Sequence, residues 1–420
     1  MPMKSPLKKN NNNKTDEQLS SSAAPVIGSD RLWTKDFICI WIINLSISTW
    51  AFMIHAPFPL YIVYLGGNEM LVGITAGAVS LAALVIRPFA GWFLDNISRS
   101  FLFFAGTIVI IIASLLLYFV PILALVIALR ILLGFLLSAT TTTSITSAAD
   151  AIPAERFGEG IGYLGLGNTL GTALGPALGL IIIARLGFPQ LFITSAMVIL
   201  FALLVSKGFA FKKIGTKERK KIKLASLFNK DAIPASLVML LSSLPFGGVI
   251  VFIALYGEYY EIGNAAWYFV LIAVGSGTAR LLIGRLVDRV GEQPMVIFGN
   301  GCFVVGLVLL LFHSSVCYYL SGLFFGFGFG VMNPAMQAMA MRIVPMEKRG
   351  SATSTFQCSF DLSGGLGGLI AGWIVTVWGY RPMFGAMIIF VAFSGLAYAL
   401  WAAKTPSAFK VYRKNARLGA

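Results

Sequence analysis

The chain has 420 residues, of which 57% are hydrophobic and only 12% charged, and its mean hydropathy is +0.83. A soluble protein of this size carries roughly 25% charged residues, which excludes a water-soluble globular fold. A transmembrane barrel is excluded too, because its strands would read as segments of about ten residues with alternating polarity. The formal charge of +15 gathers in tails, loops and span ends, a pattern of membrane orientation and not of nucleic-acid binding.

Residues 1–36 are polar, as in "KSPLKKNNNNKTDEQLSSS". They contain neither a core-forming stretch nor the apolar region of a signal peptide, and are read as a disordered cytoplasmic tail. Apolar spans of about 20 residues then recur, near 37–62, 70–94, 101–120, 122–147, 160–183 and 190–208. A basic linker, 209–231, contains "KKIGTKERKKIK" and acts as a topology anchor. Six more spans follow near 232–257, 266–287, 295–312, 317–341, 352–375 and 383–403, and a cytoplasmic tail occupies 404–420. The expected fold is therefore an all-α polytopic membrane protein, with twelve transmembrane helices in two pseudo-symmetric six-helix halves, 37–208 and 232–403. With the N-terminus inside, only Arg185 and Arg381 fall outside, and Arg87, Arg130 and Arg280 lie within spans. All other Lys and Arg are cytoplasmic or at cytoplasmic span ends, so both termini are assigned to the cytoplasm.

The second half repeats the first. A shift of 193 residues lays "RPFAGWFLD" (87–95) on "RLLIGRLVD" (280–288), so that Arg87, Gly91 and Asp95 match Arg280, Gly284 and Asp288. At nearly the same offset "PAERFG" (153–158) meets "PMEKRG" (345–350), and Gly171, Gly175 and Gly179 fall on Gly364, Gly368 and Gly372. Parallel repeats of six spans place a solute path between the halves, near the midplane.

With these residues in hand, the chain resembles the major facilitator superfamily over about residues 35–405. Its first loop, "GWFLDNISRS", keeps Gly91, Asp95 and Arg99 of the family's loop motif, and "GRLVDRVGEQ" keeps Asp288, Arg289 and Gly291. The resemblance implies that the loop aspartate helps hold the cytoplasmic side closed. Arg87, Gly91, Asp95, Arg99, Arg280, Gly284, Asp288 and Arg289 are accordingly expected to act in gating. For Arg87 and Arg280 the ion-pair partners are expected on neighbouring helices or the opposite half, since the Asp of each motif is two turns away. The run "GYLGLGNTLGTALGPALG" (162–179) resembles the fifth-span motif of drug and metabolite antiporters, on Gly162, Gly171, Gly175, Pro176 and Gly179. Glycines four apart line one helix face and let backbones approach closely in lipid. Spans five and eight, and two and eleven, are therefore expected to slide across the half-interface.

Charges inside the spans are the candidates for proton coupling. Asp361 in "QCSFDLSGG" lies about nine residues into span eleven, roughly 14 Å deep, and is a candidate proton carrier because a carboxylate there must be paired or wet. Arg130, in "LRILLG", resembles the fourth-span motif that the family links to proton transfer. His55, in the outer part of span one, titrates near neutral pH in water and is a candidate relay. By resemblance spans one, four, seven and ten line the cavity, with Asn44, Trp50, Thr141, Ser243, Asn333 and Gln337 among its non-apolar content. Such a lining suits an amphiphilic organic solute.

No cofactor and no metal site is expected. Cys39, Cys302, Cys317 and Cys358 lack metal spacing, and "GLGNTLG" and "GFGFG" do not follow a strand as nucleotide-binding loops do. No enzyme motif is present. The sequence thus predicts a monomeric exporter of a small organic solute, a drug-like compound or a metabolite, by proton antiport in a bacterial cytoplasmic membrane. Its alternatives are a nutrient symporter or uniporter and a transport-dead scaffold.

Overall fold

The computed structural model describes residues 32–96, 98–153, 156–211, 229–283, 292–344 and 349–404. The first span is two helices, α1 (Lys35–His55) and α2 (Phe58–Tyr64). Spans two to six are α3 (Glu69–Asn96), α4 (Arg99–Phe119), α5 (Leu123–Ala151), α6 (Phe157–Leu186) and α7 (Phe188–Ser206). Spans seven to twelve are α8 (Ile233–Tyr259), α9 (Ala265–Ile283), α10 (Glu292–Leu310), α11 (Ser315–Arg342), α12 (Arg349–Trp378) and α13 (Tyr380–Leu400). Among the described residues eleven segments are long and apolar enough to cross a membrane, and α9 is the counterpart of α3 in the repeat.

Local chemistry sets several ends. The Thr34 hydroxyl accepts from Phe37 N at 3.2 Å and caps α1. Pro57 has no N–H to continue α1, and the chain restarts as α2 one residue later. The repeat is also visible in the outer hairpins. One glycine alone joins α6 to α7, Gly187 at φ 89°, and one joins α12 to α13, Gly379 at φ 84°. A residue with a Cβ is strained at that angle, so both halves keep glycine at the same joint.

The fifth-span glycines pack inside the first half. A Cβ on Gly175 would lie 2.6 Å from the Thr49 carbonyl and 2.7 Å from Met53 N, and one on Gly179 would meet Met53 and Pro57. Their face therefore seats on α1, not on α9 as expected. Spans five and eight do pack together, but by another stripe of α6 that includes Gly165, six positions before Gly171 and so roughly 120° around the helix at about 100° per residue. Gly162 is exposed with open space around it, and has no packing role here. Pro176 sits inside α6, which continues through it.

Span eleven behaves differently. Gly368 and Gly372 of α12 turn to α3, where Gly372 sits against Gly73 and the Glu69 carbonyl, while Gly364 backs onto Gly247 of α8. The α3–α12 contact thus runs backbone to backbone across the two sets of six spans. At the outer side α2 packs on α8 as well. Helix α8 is buried from Ser242 to Gly257. Two of the residues expected in the cavity lining are buried: Ser243 is 1% exposed within α8, and Trp50 of α1 is wholly buried.

Candidate functional site

Arg87 of α3 and Asp361 of α12 form a bidentate ion pair between the first six spans and the last six. Arg87 Nη2 donates to Asp361 Oδ1 at 2.9 Å, and Nε donates to Oδ2. The planar fork of guanidinium matches the carboxylate in this geometry. The side chains are 25% and 15% exposed, so the pair is neither buried dry nor bathed in solvent. Reduced water strengthens the attraction, while residual access leaves a route for a proton. The pseudo-equivalent arginine, Arg280 of α9, also reaches across. It finds no carboxylate among the described residues, because Asn168 stands where Asp361 stands in the other half. Instead Nη1 donates to the Gly165 carbonyl at 2.9 Å, and Nε is buried without a partner among the described residues.

Arg130 of α5 and His55 at the C-terminal end of α1 meet within the first half. Arg130 is 4% exposed, and its Nη2 lies 2.6 Å from His55 Nδ1. Its guanidinium carbon stands 4.9 Å from the centre of the Phe58 ring, a cation–π contact. Phe58 opens α2 directly after the interruption at Pro57 and sits against the cation. A guanidinium has donors only, so His55 Nδ1 is the acceptor and the ring is neutral with its hydrogen on Nε2.

The other candidates divide. Arg99 pairs with Asp150 near the C-terminal end of α5, within its own half and not across the halves. Gly284, Asp288 and Arg289 lie outside the described residues, as do the side-chain positions of Gly91 and Asp95. Asn333 and Gln337 lie one turn apart and partly exposed on α11. They continue a face that begins at Phe329, which stacks on Phe246 at 4.5 Å and touches Phe360, the neighbour of Asp361. Thr141 and Asn44 are partly exposed but bond their own helices, Thr141 to Leu137 O and Asn44 to Ile40 O. Among the described residues no group of three or more His, Cys, Asp or Glu is placed to hold a metal ion.

Three features escaped the sequence reading. Trp41 Nε1 donates to the Tyr163 carbonyl at 2.9 Å and ties α1 to α6. The Arg99–Asp150 pair has a counterpart, Arg342 with Glu292 at 3.3 Å. Offsets of 193 and 192 relate the four residues, and comparing charges at those offsets would have revealed them. The third is the aromatic wall beside Asp361, hidden among 33 phenylalanines.

With this geometry in view, the sequence model of the Major Facilitator Superfamily matches residues 37–265 and 235–418. The staphylopine export protein of Staphylococcus aureus is 22% identical over 84% of this chain and 94% of its own length. The multidrug resistance protein MdtG of Rahnella is 24% identical over 91% of this chain and 97% of its own. Among solved structures, a bacterial homolog of the human lysosomal transporter Spinster, inward-facing and unoccupied, superposes with a TM-score of 0.72. It is 14% identical and covers 88% of this chain and 97% of that one.

Proposed function

Because the chain belongs to the major facilitator superfamily, we propose that it exports a small organic solute in exchange for protons, by alternating access between its two six-span halves. It would do so as a monomer in a bacterial cytoplasmic membrane with both termini inside. The observation that carries this reading is the Arg87–Asp361 pair, an ion pair that spans the halves and includes the one carboxylate seen deep in a described span. A proton on Asp361 removes the anion, leaves Arg87 without its partner and weakens the α3–α12 contact. Loss of the proton restores it. Protonation on one side and release on the other thereby biases which state is populated. The names of two relatives, one an export protein and one a multidrug resistance protein, support the outward direction.

Reconstitution in liposomes with an acidic lumen tests the reading. Solute should accumulate in the wild type, and Asp361→Asn should lose about tenfold of that accumulation, a ratio worth roughly 1.4 kcal/mol, while retaining downhill exchange. Accumulation that survives in Asp361→Asn removes this residue as the proton carrier. Accumulation driven only by the opposite gradient would replace antiport with symport.

A further inference from the structure

We propose that the transported solute is an organic anion, and that one of its carboxylates is received by the His55–Arg130 pair. The inference rests on the export reading above and supplies its substrate class.

The charge balance of the membrane interior leads to it. Among the described side chains the spans hold three deep cations, Arg87, Arg130 and Arg280, against one deep carboxylate, Asp361. Arg87 takes that carboxylate. Arg130 and Arg280 are left with neutral acceptors, an imidazole nitrogen and a backbone carbonyl. A charge held away from water without a counter-ion is costly. Two such cations, one in each half, make the region between the halves attractive to an incoming anion and repulsive to a cation.

Geometry selects the Arg130 end of this field. The bond from Arg130 occupies His55 Nδ1, which leaves the Nε2–H without a protein acceptor among the described residues. His55 shares one face of α1 with Asn44, Ser48 and Ala51, at spacings of four, three and four, and all four are partly exposed. The imidazole is therefore the accessible donor, and Arg130 behind it, 4% exposed, supplies the positive charge. A carboxylate oxygen accepting from Nε2–H completes a chain of guanidinium, imidazole and carboxylate, in which each bond polarises the next. Phe58 closes the far side of the cation, so the anion approaches from the His55 side.

The test compares two xanthene dyes of opposite charge, carboxyfluorescein and tetramethylrhodamine ethyl ester, for equilibrium binding to the purified full-length protein without a pH gradient. Carboxyfluorescein should bind in preference and citrate should displace it. Arg130→Gln should weaken it by about tenfold or more, and Arg130→Lys, which keeps the charge, should retain part of the affinity. Should Arg130→Gln not fold, His55→Phe removes the Nε2–H while keeping an aromatic ring, and the same loss is expected. Preference for the rhodamine ester, absence of carboxyfluorescein and citrate binding, or equal affinity in both variants overturns the proposal. Arg130-dependent anion binding without gradient-driven flux leaves this site standing and removes proton coupling. Gradient-driven flux of the rhodamine ester alone does the reverse.

Discussion

At the scale of single residues, Arg87 and Arg280 have equivalent positions and unequal lives. Each leaves the C-terminal part of its helix and crosses to the other set of spans, but one meets a carboxylate and the other a carbonyl. The repeat-equivalent position of the opposite helix carries Asp361 in one case and Asn168 in the other. Symmetry thus supplies two reaching cations, and one substitution pairs only one of them with a carboxylate. Gly175 matters for what it lacks. Its Cα lies so close to α1 that the smallest side chain would press on the Thr49 carbonyl and Met53 N. Gly175→Val should cost about 1–3 kcal/mol by overpacking, read as a lowered unfolding midpoint in detergent with reduced transport. Gly162→Ala, in open space, should leave both unchanged.

At the scale of elements, each half ties the start of its third span to the end of its fourth through an ion pair, Arg99–Asp150 in one and Glu292–Arg342 in the other. The signs are reversed between halves. What the position needs is attraction, not a given residue. Arg99→Glu should therefore destabilise by about 1 kcal/mol, a modest value because both partners keep some solvent exposure. The exchange Arg99→Glu with Asp150→Arg should recover most of it, and a double-mutant cycle on unfolding midpoints would measure the coupling. If each single change costs as much in the presence of the other, the pair carries no coupling. These elements also show what was legible. Span positions, the repeat and the deep charges could be read directly, because apolar length and isolated charge are local properties. Which face of α6 meets α1 and which meets α9 could not be read, because small residues line more than one stripe of that helix and only the neighbours choose among them. The fate of Trp50 and Ser243 was hidden for the same reason. A polar atom on a membrane helix marks a non-lipid face, but that face is equally served by a cavity or by another helix.

At the scale of the whole molecule, the two sets of spans are joined along α3 and α12 from the outer glycines down to Arg87 and Asp361. Alternating access requires this seam to move. Gly77 and Leu369 face each other there, and a Cβ at 77 lies 3.5 Å from that of Leu369, within the roughly 3.5–4.5 Å that a disulfide spans. With the four native cysteines replaced, Gly77→Cys with Leu369→Cys should cross-link on oxidation, stop transport, and recover it on reduction. Undiminished transport in the cross-linked protein would show that this part of the seam stays shut through the cycle. The reversed ion pairs say something further, about descent. If the halves arose by duplication, both copies began with one polarity, and a single change of Arg to Glu beside Asp would have set two carboxylates against each other. The copies must have separated by way of a neutral or unpaired ancestor, or by changing both partners within a short interval. What was inherited at these positions is a relationship between two sites, and a search for ancestry that scores each residue alone would count this preserved contact as two mismatches.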